Sequence, residues 1–263
     1  MTAERRPVVV ITGASSGIGA ALAHEFAAHG HELVLIARRE QALNSVADAI
    51  AAKAATRPTV LRLDVGRIDT ARDISEALGQ RGLEPEIVVN NAGFGLMGPA
   101  DKLDRQRQLA MIDVNVRALT ELSLAFLESI ERRKGGLLNV ASVAGFMPGP
   151  GMAVYYATKA YVLSFSEALH QELKPRGVRV TALCPGPVPT EFQSRAGMDG
   201  FRIPAFLSVP AEAVARDAYE GLKQGRRIVV PGWASKAAPV LARILPRAAL
   251  LKLIQATQNV RNA

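Results

Sequence analysis

The chain has 263 residues, of which 49% are hydrophobic and 21% charged, a length and composition that can bury one substantial core of alternating α/β elements in a single domain. No run of about 18 uninterrupted apolar residues is present, which excludes an ordinary membrane-spanning helix, and the opening MTAERR lacks the roughly 7–15-residue apolar stretch of a secretory leader. The formal net charge is +8, to which residues 233–263 contribute Lys236, Arg243, Arg247, Lys252 and Arg261 with no acidic residue; with Trp233 as the only aromatic residue there, stacking on bases is missing and a nucleic-acid partner is excluded.

Strand-like apolar runs recur at 8–11, 32–37, 59–63, 86–90, 137–141, 178–184 and 227–230. Segments of helical periodicity at 18–29, 39–54, 67–80 and about 101–133 separate the first five, and a further helix is expected over 154–173. Such alternation predicts an α/β fold: a Rossmann-like, doubly wound parallel sheet of about seven strands with helices on both faces. Ligands of these sheets bind outside the carboxyl ends of the strands. The polar candidates all fall there: the turn 12–19 after the first strand, Asp64 after the third, 90–93 after the fourth, Ser142 after the fifth and 185–190 after the sixth.

The lone Cys184 closes the sixth strand, where a cysteine packs as a small hydrophobe; with no partner in the chain it points to a reducing, cytoplasmic setting. His24, His29, His31 and His170 have no metal-ligand spacing, and no metal is expected.

The first turn reads TGASSGIG, with Gly13, Gly17 and Gly19 ahead of a helix that starts near Ile18. Glycine lets a backbone turn tightly and approach a pyrophosphate, whose charge is met by free amides at the helix N-terminus, including those of Ser15 and Ser16. At the end of the second strand a carboxylate would select a ribose diol and a basic residue a 2′-phosphate. This chain has Ala37-Arg38-Arg39, so NADP(H) is expected over NAD(H), with Arg38 as main contact and Ser15 as helper.

Tyr155 and Lys159 stand one turn apart on the same helical face. A phenol of reference pKa about 10 is a poor base at neutral pH. At an effective dielectric of about 20, an ammonium ~4–5 Å away contributes roughly 3–4 kcal/mol, so Lys159 is expected to lower the pKa of Tyr155. Tyr156 and Tyr161 have Ala160 and Phe165 at the equivalent position and lack this partner.

The GxxxGxG spacing, the NNAG run at 90–93, YxxxK at 155–159, Ser142, Asn115 and PGPVPT at 185–190 together resemble the classical short-chain dehydrogenase/reductase family, over about residues 7–232. The resemblance implies that Asp64 and Val65 lie near the adenine, Asn91, Ala92 and Gly93 along the cofactor, and Pro185, Gly186, Val188 and Thr190 near the nicotinamide. It makes Asn90 a strand brace. In the implied carbonyl reduction Tyr155 donates a proton to the developing alkoxide, Ser142 holds the same oxygen, Lys159 bonds the nicotinamide ribose, and Asn115 anchors a water leading from Lys159 to solvent. The same site run in reverse gives an alcohol or hydroxysteroid dehydrogenase, and loss of turnover gives an NADP-sensing interaction protein. A homo-oligomer, dimer or tetramer, is implied by pairing of the fourth and fifth helices.

After Thr190 the segment 191–208 is apolar in patches (Phe192, Met198, Phe201, Ile203, Phe206), and the resemblance makes it a lid over the substrate. With Phe94, Phe146, Met147 and Met152 it favours a lipophilic ketone, aldehyde or 3-oxoacyl substrate. Residues 1–232 are expected to form the catalytic domain and 233–263 a basic amphipathic extension of two short helices meeting at Pro246. Two placements of this extension remain open, docking on the body or a partner subunit and peripheral contact with anionic membrane.

Overall fold

In the computed structural model, which describes residues 5–54, 56–198 and 208–259, the apolar runs pair into parallel strands β1 (Arg6–Thr12), β2 (Leu33–Ala37), β3 (Thr59–Arg62), β4 (Leu83–Asn90), β5 (Gly136–Val140), β6 (Arg179–Leu183) and β7 (Ile228–Val229). They form one seven-stranded sheet in the order β3-β2-β1-β4-β5-β6-β7. Val9 stands opposite Leu33 on one side and Ile87 on the other, and Leu138 opposite Val89 and Thr181. The chain winds outward from β1 through β2 to β3, then returns to β4 on the other side of β1. That reversal opens a crevice at the carboxyl ends of β1 and β4.

The helices are α1 (Gly17–Ala28), α2 (Glu40–Ala51), α3 (Thr70–Gly79), α4 (Arg105–Ile112), α5 (Leu119–Ala125), α6 (Leu127–Arg132), α7 (Ala153–Leu173), α8 (Phe192–Arg195), α9 (Ala211–Lys223), α10 (Ala237–Ile244) and α11 (Arg247–Asn259). Both sheet faces are covered, which is why the strands read as unbroken apolar runs. Val9, Ile11, Leu35 and Val89 pack beneath α1, α2 and α9, whereas Val8, Val10, Val34, Ile36 and Val88 pack beneath α3, α5, α6 and α7. A polar brace crosses the second layer: buried Asn90 donates through Nδ2 to Ser123 Oγ (3.0 Å) and Asn139 Oδ1 (2.9 Å), and Asn139 donates to Ser166 Oγ (3.0 Å). Asn90 therefore ties β4 to β5 and α5.

Two helical expectations need correction. The helix expected over 101–133 is divided into α4, a π-helical turn at Asp113–Ala118, α5 and α6. Inside the π turn, buried Asn115 bonds the backbone of Phe94 in both directions, a demand no straight α-helical sequence pattern announces. The helix expected from 67 starts instead at Thr70, because Asp69 takes a left-handed φ of 67° and the Thr70 hydroxyl donates to the carbonyls of Asp64 and Arg67.

At the C-terminal side Pro246 separates α10 from α11, as its lack of an N–H favours. α10 packs on the 3₁₀ turn Val143–Phe146, and Leu250 and Ile254 of α11 are buried. Among the described residues no helix is long and apolar enough to cross a membrane.

Candidate active site

The crevice holds a cavity of about 660 Å³. Its floor is the turn between β1 and α1, where Gly13 takes a φ of +66° and Gly19 lies so close to the turn that a Cβ would sit 2.4 Å from the Gly13 carbonyl oxygen. The loop after β4 is stitched to this turn. Thr12 Oγ1 accepts from the amides of Asn91 (3.1 Å) and Ala92 (3.0 Å), and Asn91 Nδ2 donates to the carbonyls of Thr12 (2.9 Å) and Gly13 (3.2 Å). Ser16 precedes α1 without capping it, and no acidic residue stands in the first turn of that helix. The first amides of α1 and its dipole are thus left to an anionic ligand, as a dinucleotide pyrophosphate requires.

Every cofactor-side residue expected from the sequence lines this one cleft: Gly13, Ser15, Ser16, Gly17, Ile18 and Gly19 at the floor, Arg38, Asp64 and Val65 at one end, Asn91, Ala92 and Gly93 along the side, and Pro185, Gly186, Val188 and Thr190 at the other. The sequence reading missed Arg39. Its Nη2 donates to Ser15 Oγ (3.3 Å), Ser16 Oγ (3.0 Å) and Glu191 Oε2 (2.9 Å), whereas Arg38 is largely exposed and lies 3.8 Å from Asp64 Oδ2. The tandem arginines were the only signal, and nothing in a linear chain says which of two neighbours turns inward. The hydrogen bond from Arg39, with help from Arg195, holds the Glu191 carboxyl below the usual carboxylate range.

Above the floor, Tyr155 and Lys159 project from the first turns of α7 and Ser142 from the end of β5. Ser142 Oγ accepts from the Ala144 amide (3.1 Å), donates to the Pro185 carbonyl (3.5 Å) and stands near enough to the Tyr155 phenol to pull its pKa down. Lys159 is buried, donates through Nζ to the Val140 carbonyl (2.8 Å) and lies 5.9 Å from the Tyr155 ring centre. Asn115 does not line the cleft; its Nδ2 donates to the Phe94 carbonyl and to Thr158 Oγ1, both at 3.0 Å. Gly93 stands between it and the lysine, since a Cβ there would lie 3.0 Å from Asn115 Oδ1 and 3.5 Å from Lys159 Nζ.

The electrostatics depart from the sequence expectation. Burial pushes the Tyr155 phenol up to about 12, with the Ser142 hydrogen bond pulling the other way, and burial brings the Lys159 ammonium down to about 8. The net direction is upward because the loss of water around the phenol outweighs the pull expected from Lys159, whose Nζ is turned toward the Val140 carbonyl. Tyr155 is therefore protonated at neutral pH. Cys184 is fully buried with its thiol pushed up to about 12 by desolvation, so it is inert.

Phe94, Met152, Phe192 and Met198 line the cleft as expected, with the Phe192 ring 5.4 Å from that of Tyr155. Phe146 does not; it packs against the buried cluster of Leu119, Ala141 and Val162, and Met147 is likewise off the wall. Phe201, Ile203 and Phe206 lie outside the described residues. Tyr156, set aside from the sequence, joins the wall edge-on to Tyr155 at 6.1 Å. Among the described residues no three His, Cys, Asp or Glu side chains converge as metal ligands.

A family model described as short chain dehydrogenase matches residues 7–199, which carry the glycine turn, the stitched loop and the Ser142–Tyr155–Lys159 group. The chain belongs to the short-chain dehydrogenase family. This dehydrogenase is 37% identical over 188 residues to sulfoacetaldehyde reductase 2 of Chromohalobacter salexigens, covering 70% of this chain and 74% of that one. It is 35% identical over 190 residues to the NADP-dependent 3-hydroxy acid dehydrogenase YdfG of Salmonella typhimurium, covering 71% and 75%. Among solved structures, a short-chain dehydrogenase from Sphingobium yanoikuyae in complex with NADPH superposes with a TM-score of 0.79 at 31% identity, over 92% of this chain and 97% of that one. The short-chain dehydrogenase described here is accordingly an NAD(P)-dependent oxidoreductase.

Proposed function

We propose that the enzyme reduces a lipophilic carbonyl (a ketone, an aldehyde or a 3-oxoacyl group) with NADPH, and that Tyr155 is the general acid. The observation that carries this reading is a buried, protonated phenol that shares the cleft with Ser142 and Lys159 and with a wall of Phe94, Met152, Tyr156, Phe192 and Met198. When bound, NADPH supplies the hydride; the glycine turn from Gly13 to Gly19 would hold its pyrophosphate, Asp64 and Val65 its adenine, and Pro185, Gly186, Val188 and Thr190 its nicotinamide end. Ser142 orients the carbonyl oxygen, Tyr155 gives it a proton, and the Lys159 charge stabilises the phenolate that remains. Asn115, across Gly93 from Lys159, anchors the route by which that proton is replaced. Oxidation of an alcohol is the second reading, and it asks Tyr155 to act as a base, for which a pKa of about 12 is poorly suited at neutral pH.

The test is NADPH oxidation against aliphatic and aromatic ketones, aldehydes and a chain-length series of 3-oxoacyl thioesters. Rates that rise with chain length support the reading. Turnover confined to small polar aldehydes would overturn the substrate class, and NADPH binding without turnover across the panel would favour a sensing protein.

The pH dependence follows from Lys159. Its ammonium is charged below about 8 and neutral above, and a neutral lysine no longer supports the phenolate. The reductive kcat/KM is expected to stay level at lower pH and fall as pH rises through about 8, and Lys159→Met should be slow with that limb removed. A flat profile for the unmodified enzyme across about pH 7–9 would discard the role.

For NADP over NAD, Arg38 is the main contact and Ser15 its helper, and Arg39 adds a second cation once it is released from Glu191. The NADPH in the Sphingobium structure and the NADP in the name of the Salmonella relative support the preference. A charge-assisted hydrogen bond contributes about 1.5–3 kcal/mol, so Arg38→Asp should cut the NADPH/NADH affinity ratio by roughly tenfold or more. Glu191→Gln should raise the ratio by freeing Arg39. Dissociation constants for both cofactors decide it, and an unchanged ratio in Arg38→Asp would remove Arg38 from the site.

Residues 1–232 act as the catalytic unit, with the remainder as an extension. The enzyme works in the cytoplasm as a homo-oligomer, a dimer or tetramer, for which exposed Leu109, Ile112, Leu124 and Tyr161 on α4, the end of that helix, α5 and α7 offer the surface.

A further inference from the structure

The cleft does not account for the outer face of α10. Val240, Leu241 and Ile244 are 54%, 43% and 73% exposed and share one side of the helix, and Trp233, just before the 3₁₀ turn Ala234–Lys236 that leads into it, is 77% exposed. Lys236 and Arg243 are exposed along the border of this stripe, while Ala238, Pro239 and Ala242 on the opposite side are partly covered where α10 meets the Val143–Phe146 turn. Buried Leu250 and Ile254 anchor α11, which adds exposed Arg247, Leu251 and Lys252. The helix thus presents its apolar stripe to solvent and spends only its small residues on the body, the reverse of an ordinary surface helix.

We infer that this stripe is a docking surface for an anionic lipid bilayer. The charge decides among occupants. Residues 233–263 carry five basic residues and no acidic one, so a two-fold contact between copies of this face would set cations against cations. Exposed Leu109, Ile112, Leu124 and Tyr161 offer self-association a different surface, without that penalty. A bilayer with acidic headgroups satisfies both halves of the face at once: the stripe enters the acyl boundary while Lys236, Arg243, Arg247 and Lys252 meet the headgroups. The surface is also fixed to the active site. Ser235 is buried against Gly186, where an added Cβ would lie 2.1 Å from its Oγ, and α10 rests on the Val143–Phe146 turn, of which Val143 and Ala144 line the cleft. A docked bilayer therefore lies beside the substrate end of the cavity. The docking goes beyond the proposed reaction and stands or falls separately from it.

Trp233 is the only tryptophan in the chain, so its emission reports this surface alone. The full-length protein is mixed with vesicles of phosphatidylglycerol and phosphatidylcholine, and with phosphatidylcholine alone, and followed by co-sedimentation and tryptophan emission. Binding to the acidic vesicles with a blue shift is expected, weakened by salt and by about fivefold in Arg243→Gln. Ile244→Glu should lower vesicle binding by at least about tenfold, while its circular dichroism and its NADPH oxidation with a water-soluble carbonyl match the unmodified protein. Absence of binding, or equal binding to neutral vesicles, overturns the inference. So does a sedimentation-equilibrium mass that drops in Ile244→Glu without any vesicle binding by the unmodified chain, which would make the stripe an interface between copies.

Discussion

Tyr155→Phe is expected to lower turnover by roughly 10²–10⁴-fold while the Kd for NADPH stays within about twofold. The substitution removes one oxygen and keeps the ring, so the packing against Phe192 and Tyr156 survives. What is lost is the phenol hydroxyl that the proposed reaction uses as its proton donor, together with the phenolate that Lys159, 5.9 Å from the ring centre, would stabilise. A group that acts only as charge develops should depress kcat and kcat/KM together and leave cofactor binding alone. Stopped-flow oxidation of NADPH beside fluorescence titration of the cofactor separates the two quantities. Turnover within about tenfold of the unmodified enzyme would transfer the proton-donor role to another group and remove the basis of the proposed mechanism.

Gly19→Ala should raise the NADPH Kd by roughly 10–100-fold and lower Tm by several degrees. The added methyl would lie 2.4 Å from both the Gly13 carbonyl oxygen and Asn91 Nδ2. Neither can yield cheaply: the first is backbone at a φ of +66°, and the second is held by the carbonyls of Thr12 and Gly13. α1 must retreat from the turn, and overpacking of this kind typically costs about 1–3 kcal/mol. Its first amides retreat with it, away from where a pyrophosphate would sit. Gly79→Ala is the control, since nothing lies within 4 Å of its added Cβ and alanine suits a helix end better. If both variants melt and bind NADPH alike, close approach at Gly19 is not what the turn requires.

The fold was legible because its signals are local and periodic. Seven apolar runs separated by helical stretches admit few arrangements other than a doubly wound sheet, and burial on both faces removes the alternation an exposed sheet would show. Asn115 was legible as a residue, yet its setting was not. The π turn carries Asn115 into two hydrogen bonds with the backbone of Phe94, one donated and one accepted, and that partner is 21 residues away.

Residue types and spacings alone point to the family and to the chemistry proposed: a glycine turn between a strand and a helix, a tyrosine and a lysine one turn apart, a serine closing a strand. Each rests on interactions within a few residues, so the chain writes it down directly. The tertiary structure decided whatever depends on burial and long-range contact. Desolvation, which no spacing reveals, reversed the direction expected for the Tyr155 pKa. Contact with Glu191, 152 residues away, tied Arg39 down at the cleft wall, beside a more exposed Arg38. Packing on the Val143–Phe146 turn set the small residues of α10 inward and its apolar stripe outward, because only the assembled surface determines which side of a helix has a neighbour.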